Sequence, residues 1–148
     1  MSNLGPVGSA FSELVVEVFR LNGLALAAGD VLAAPAGLTS ARWQVLGVID
    51  HAPATVASIA RTMGLTRQSV RQTTEALVTE GYASSQENPE HQRARLIEIT
   101  AAGRKALRAV ERRHALWAER IGARIGASTL SAALPALRAA REAMEESS

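Results

Sequence analysis

With 148 residues, 47% of them apolar and 20% charged, the chain is long enough for one domain with a buried core and is no disordered polymer. Cysteine is absent, which excludes disulfide frameworks, cysteine–zinc sites, iron–sulfur clusters and thiol-based redox sensing. The formal charge is only +2, but the sixteen basic residues include a single lysine, Lys105, so the other fifteen are arginine. The planar guanidinium fork suits phosphates and guanine edges, although genome base composition alone produces the same bias.

Aromatics are sparse (Phe11, Phe19, Trp43, Tyr82 and Trp117) and alanine is abundant, which favours closely packed helices over a β-sandwich. The first ten residues lack the basic start and apolar run of a signal peptide. The most apolar stretch, 21–38, is interrupted by Asn22, Asp30 and Pro35 and does not read as a membrane span. A cytoplasmic protein with no membrane partner is expected.

Phe11, Leu14, Val15, Val18, Leu21 and Ala25 have the spacing of an amphipathic helix over 11–32, broken by Pro35 and Gly37. Thr39 or Ser40 can cap a second helix to about residue 50, with Trp43, Leu46 and Ile49 on one face. A short helix over 55–63 follows, capped by Thr55 and ended by Gly64. Thr66 opens another to about residue 80, with Val70, Thr74 and Leu77 inward. The period then changes, and 82–86 and 95–100 read as strands of a hairpin whose polar tip carries the turn signal Asn88–Pro89. Thr100 can cap a long helix to at least residue 124, with Leu107, Val110, His114, Trp117 and Ile121 on one stripe. A last helix spans about 128–145. Pro135 inside it predicts a kink or a later start.

Residues 55–77 hold the most informative pattern. Two helices joined by a tight turn need a small residue in the first, a glycine at the turn and a branched apolar residue in the second. Ala60, Gly64 and Val70 supply these, and Ile59 and Met63 complete the inner face of a helix-turn-helix. The outward face of the second helix carries Arg67, Gln68, Arg71, Gln72 and Glu75. Arginine can take guanine O6/N7 and glutamine adenine N6/N7. Thr66 and Ser69 sit in the first turn, where hydroxyls and free backbone N–H groups meet phosphate. The competing reading is a solvated face with an ordinary Arg71–Glu75 pair.

The hairpin supplies a wing. Arg93 and Arg95, two residues apart on an extended segment, are expected to point the same way, along the DNA backbone or into the minor groove. An ordinary exposed hairpin is the plainer alternative, with Glu87 and Glu90 nearby.

These stretches, with LTSARWQVL, EALVTEGY and NPEHQRARLIEITAAGRKAL, resemble the MarR family of winged helix-turn-helix regulators, from Leu38 to Leu107. The resemblance implies a mainly α fold with a small β-hairpin wing. Within one domain over 1–148, a winged helix-turn-helix lobe covers 38–100, and 9–34 joins 101–148 in a helical dimerisation region. It further implies a homodimer on a pseudo-palindromic operator in double-stranded DNA, acting as a repressor. The sequence departs from the family pattern at the wing. His91 stands where an aspartate is common, Gln92 replaces the first of two arginines, and Ser84 and Ser85 replace an arginine. Thr73 stands where a branched apolar residue is usual.

Relatives commonly bind a small aromatic or anionic effector. Here Arg42, Trp43, Leu46, His51 and Leu107, with Leu24, are the expected lining, although Trp43 on an inward stripe also reads as core. Arg104, Arg108 and Arg112 share one helix face, which reads as solvated. No cofactor or metal is expected, since His51, His91 and His114 lack metal-ligand spacing, and no phosphate-loop or nucleophile motif marks an enzyme. The alternative function is a winged-helix protein-interaction module without specific DNA binding.

Overall fold

The computed structural model describes residues 3–148. Its elements are α1 (Pro6–Ala33), a 3-10 turn (Ala34–Ala36), α2 (Ser40–His51), α3 (Val56–Met63), α4 (Arg67–Thr79), β1 (Ala83–Gln86), β2 (Leu96–Ile99), α5 (Ala101–Ile125) and α6 (Ala127–Glu146). Residues through Val110 form one compact unit and Glu111–Ser148 a second, the division falling within α5. The mainly α fold with a small hairpin is as the sequence predicts. One helix start differs. Helix α1 begins at Pro6, because a proline is preset for the first helical turn and lacks only an N–H that no helix partner would take. Helix α6 starts at Ala127 and carries Pro135 inside it, so the helix does not start late.

The core lies where α2, α3, α4, β2 and the first turns of α5 meet, with Leu46, Ile49, Ile59, Val70, Leu77 and Leu107 fully buried. The starts of α2, α3 and α4 are each marked by a threonine cap. Thr39, Thr55 and Thr66 accept hydrogen bonds at their side-chain oxygens from the backbone N–H groups of Arg42, Ser58 and Ser69, at 3.2, 3.1 and 3.1 Å. A lost cap of this kind costs about 1 kcal/mol. Thr39 is thus the cap of α2. Ser40 instead fastens α2 to α1: its N–H donates to Asp30 Oδ1 at 2.8 Å and its hydroxyl to the Leu26 carbonyl at 2.7 Å.

The turn between α3 and α4 depends on Gly64, which sits in the left-handed region (φ 65°) and donates its N–H to the Ala60 carbonyl. A side chain there would strain that conformation. Ala60 and Val70, both buried, fill the narrow space between the two helices. The wing is an antiparallel pair in the register Ala83↔Ile99 to Gln86↔Leu96. A third short segment joins it, because Ala54 donates to the Ile97 carbonyl at 3.1 Å and Ile97 to that of Ala54 at 2.8 Å. The hairpin is therefore tied to the chain just before α3 and held in place beside the helix-turn-helix.

Candidate nucleic-acid interface

Helix α4 presents Arg67, Gln68, Arg71 and Gln72 as exposed side chains, while Val70, Thr74 and Leu77 face the core. At its start the expected hydroxyls are engaged locally. Thr66 Oγ1 accepts from Ser69 N–H, and Ser69 Oγ donates to the Thr66 carbonyl at 3.0 Å. That leaves the N–H groups of Arg67 and Gln68, which a helix cannot satisfy internally, as first-turn donors. No ion pair joins Arg71 to Glu75 among the described residues, so the solvated-pair reading of this face lacks its pair.

The wing tip departs from the extended segment expected at 93–95. Asn88 Oδ1 accepts from Glu90 N–H at 3.0 Å, then His91 N–H donates to the Asn88 carbonyl and Ala94 N–H to that of His91. The tip is a pair of turns. Arg95 leaves it folded back across the hairpin, donating from Nε to Ser85 Oγ at 2.6 Å and from Nη2 to the Ser85 carbonyl at 2.9 Å. Ser85 is one of the two serines that replace a family arginine, and it receives the arginine from the opposite strand. Even so, Arg93 and Arg95 line the same groove, of about 480 Å³, together with Arg67, Arg71 and His91. Glu75 is its acidic member. Among the described residues nothing accepts a hydrogen bond from Arg67, Arg71 or Arg93. A helix face and a hairpin thus converge three available guanidinium groups on one cleft.

A MarR family profile matches residues 36–94, the stretch from the end of the 3-10 turn to the wing tip. An uncharacterised protein of Mycobacterium bovis is 37% identical over 127 residues, covering 86% of this chain and 89% of the relative. The chain belongs to the MarR family. Among solved structures, the transcriptional regulator MOSR of Mycobacterium tuberculosis in complex with DNA superposes with a TM-score of 0.71 at 25% identity, covering 88% of this chain and 96% of that one. CouR from Rhodococcus jostii, bound to p-coumaroyl-CoA, has a TM-score of 0.74 at 21% identity and shares the fold over 84% of this chain and 89% of its own.

In this MarR-family chain a second concavity, of about 630 Å³, lies among α1, α2 and α3. Two of the expected effector-lining residues are on its wall, Trp43 and His51. Trp43 also packs against the core, as its place on an inward stripe predicts. The others are elsewhere. Leu46 and Leu107 are fully buried in the core and are not on this wall. Arg42 is drawn aside by Glu80, 2.9 Å from its Nη1, and Leu24 is exposed without reaching the wall. Helix α3 supplies wall residues that the sequence did not suggest, Thr62 and Met63.

The arginine stripe of α5 also needs correction. Arg104 Nε lies 3.2 Å and Arg108 Nη2 2.8 Å from the carboxylate of Asp50, whose side chain is only 15% exposed. Arg108, with Arg104 beside it, holds the Asp50 carboxyl below the ordinary carboxylate range against the opposing effect of partial burial. These two arginines clamp α5 to α2. Asp50 occupies the last turn of α2, where a negative charge is unfavourable to the helix dipole. That anomaly was the one available sequence signal that it has a cationic partner.

Proposed function

We propose that this protein is a homodimeric repressor that binds a pseudo-palindromic operator and is released by a small-molecule effector. The observation that carries the DNA-binding part is the groove where Arg67 and Arg71 of α4 meet Arg93 of the wing, with no acceptor among the described residues satisfying any of the three. In this reading α4 enters the major groove. Arg71 and Arg67 read guanine edges, Gln68 and Gln72 read adenine, and the first turn at Thr66 and Ser69 approaches phosphate. Arg93 contacts the DNA backbone. Arg95, tied to Ser85, positions the tip that carries Arg93.

Exposed apolar side chains support the dimer. Helix α1 exposes Val7, Phe11, Phe19, Leu21, Leu24 and Val31, far beyond scattered surface residues. Helix α6 has no buried residue and exposes Leu130, Leu134, Leu137 and Met144. A closed two-fold interface covers such faces and sets two recognition helices about one DNA turn apart (~34 Å). The DNA held by MOSR and the p-coumaroyl-CoA held by CouR support DNA and a small effector as partners. Among the described residues no single helix is long and apolar enough to cross a membrane, in keeping with work on cytoplasmic DNA.

The test is fluorescence anisotropy with the gene's own upstream DNA over a salt series, alongside sedimentation of the free protein. A dimer whose affinity falls steeply with salt is expected. A protein that shows no salt-sensitive complex at any concentration is an interaction module instead.

A further inference from the structure

The wall of the α1–α2–α3 cavity carries no arginine, lysine, aspartate or glutamate. Its polar groups are neutral amides and hydroxyls, such as Asn22, Gln44 and Thr62, with His51 as the only titratable member. Trp43 and Met63 give it an aromatic and an adaptable apolar surface. Its volume of about 630 Å³ falls in the range of small-molecule sites.

The arginines of α2 and of the first turns of α5 are committed elsewhere. Arg42, next to Trp43 in the chain, is held by Glu80. Arg104 and Arg108 are held by Asp50. The charged group built into the α1–α2 crossing beside the wall is negative: Asp30 accepts Ser40 N–H, and Ser40 itself lines the cavity. The Ser40 hydroxyl is already spent on the Leu26 carbonyl, and that of Thr62 on the Ser58 carbonyl at 3.0 Å. A carboxylate entering this space would lose water and find no arginine or lysine on the wall, only the Asn22 and Gln44 amides and His51, which is costly.

We propose that the effector of this protein is an uncharged aromatic molecule, held against Trp43 with its polar group on the Asn22 and Gln44 amides, and that the cavity discriminates against anions. This rests on the effector reading given above and narrows its chemistry, removing the anionic alternative.

The test uses a matched pair of probes, 2-naphthamide and 2-naphthoate, titrated calorimetrically into the Trp117→Phe protein at pH 8. In that protein the Trp43 indole is the single tryptophan signal in an NMR spectrum. The amide is expected to bind about tenfold more tightly than the carboxylate and to move the indole signal. Gln44→Arg, and independently Thr62→Arg on the other wall, should each shift the preference toward the carboxylate by about tenfold, with thermal melting confirming that each folds. If 2-naphthoate binds as tightly as the amide and moves Trp43, the charge discrimination is wrong while the effector site stands. Should neither probe move the Trp43 signal, both are wrong. DNA affinity, measured on the same proteins without probe, tests the DNA-binding reading separately.

Discussion

Arg93 and Arg95 sit two residues apart on the wing and look interchangeable in the sequence, yet they are expected to fail differently when removed. Arg95 donates two hydrogen bonds to Ser85, both exposed to solvent. A charge-assisted bond in water is worth about 0.5–1 kcal/mol net, so the pair contributes about 1 kcal/mol to the order of the tip. Arg95→Ala should therefore weaken operator binding about fivefold at any one salt concentration by loosening the tip, with the salt slope nearly unchanged. Amide hydrogen exchange in β1, β2 and the tip should accelerate, since the tip's other ties are a few turn hydrogen bonds. Arg93→Ala should leave exchange unaltered and reduce the slope of log K against log salt by about 0.9 per wing, the signature of one lost phosphate contact. Anisotropy between about 50 and 200 mM salt resolves the two. If Arg95→Ala flattens the slope as much as Arg93→Ala and leaves exchange unchanged, the positioning role of Arg95 is refuted and both arginines contact phosphate.

Arg71→Ala should cost about 1–3 kcal/mol of specific binding and relax one operator position, read by selection on randomised sites; equal loss on specific and random DNA would remove it from base readout. Asp50→Asn should lower stability by about 1 kcal/mol at neutral pH, since both arginine partners are half-exposed, and lower the melting temperature by about 4 °C. Because the folded-state carboxyl is held below its ordinary value, this stabilisation is complete above the ordinary carboxylate range. The gap between wild type and Asp50→Asn should then narrow as pH falls below about 4, and a gap independent of pH would contradict the clamp. Gly103→Ala should destabilise by about 2 kcal/mol or more, since its Cβ would meet the Tyr82 carbonyl, which is backbone and cannot swing away. Gly47→Ala, which meets nothing, should instead stabilise α2 by about 0.5–1 kcal/mol in the same denaturant titration.

The helix-turn-helix was readable because its determinants are local. Thr55, Gly64 and Thr66 mark their helix ends through contacts within a few residues, and Ala60 and Val70 answer a geometric need of the turn itself. The Asn88 turn was legible for the same reason. What escaped were partners brought together only by folding. Asp50 is separated by 54 and 58 residues from the two arginines it binds, Arg42 by 38 from Glu80, and Arg95 reaches Ser85 across the hairpin. The cavity was half-read for a related reason. A helical stripe tells which residues face inward, but not whether they meet core, as Leu46 and Leu107 do, or an open space, as Trp43 and His51 do. Its third wall, from α3, depends on the angle of the helix-turn-helix against α2, which no local pattern encodes.

Hydroxyl-radical footprinting on the gene's upstream region shows whether two copies of α4 and its wing address one DNA site. Two protected patches related by a two-fold axis are expected, with centres about one helical turn apart (~34 Å), flanked by weaker wing protections that vanish with Arg93→Ala. A single unsymmetrical patch, or no protection at saturating protein, would contradict it.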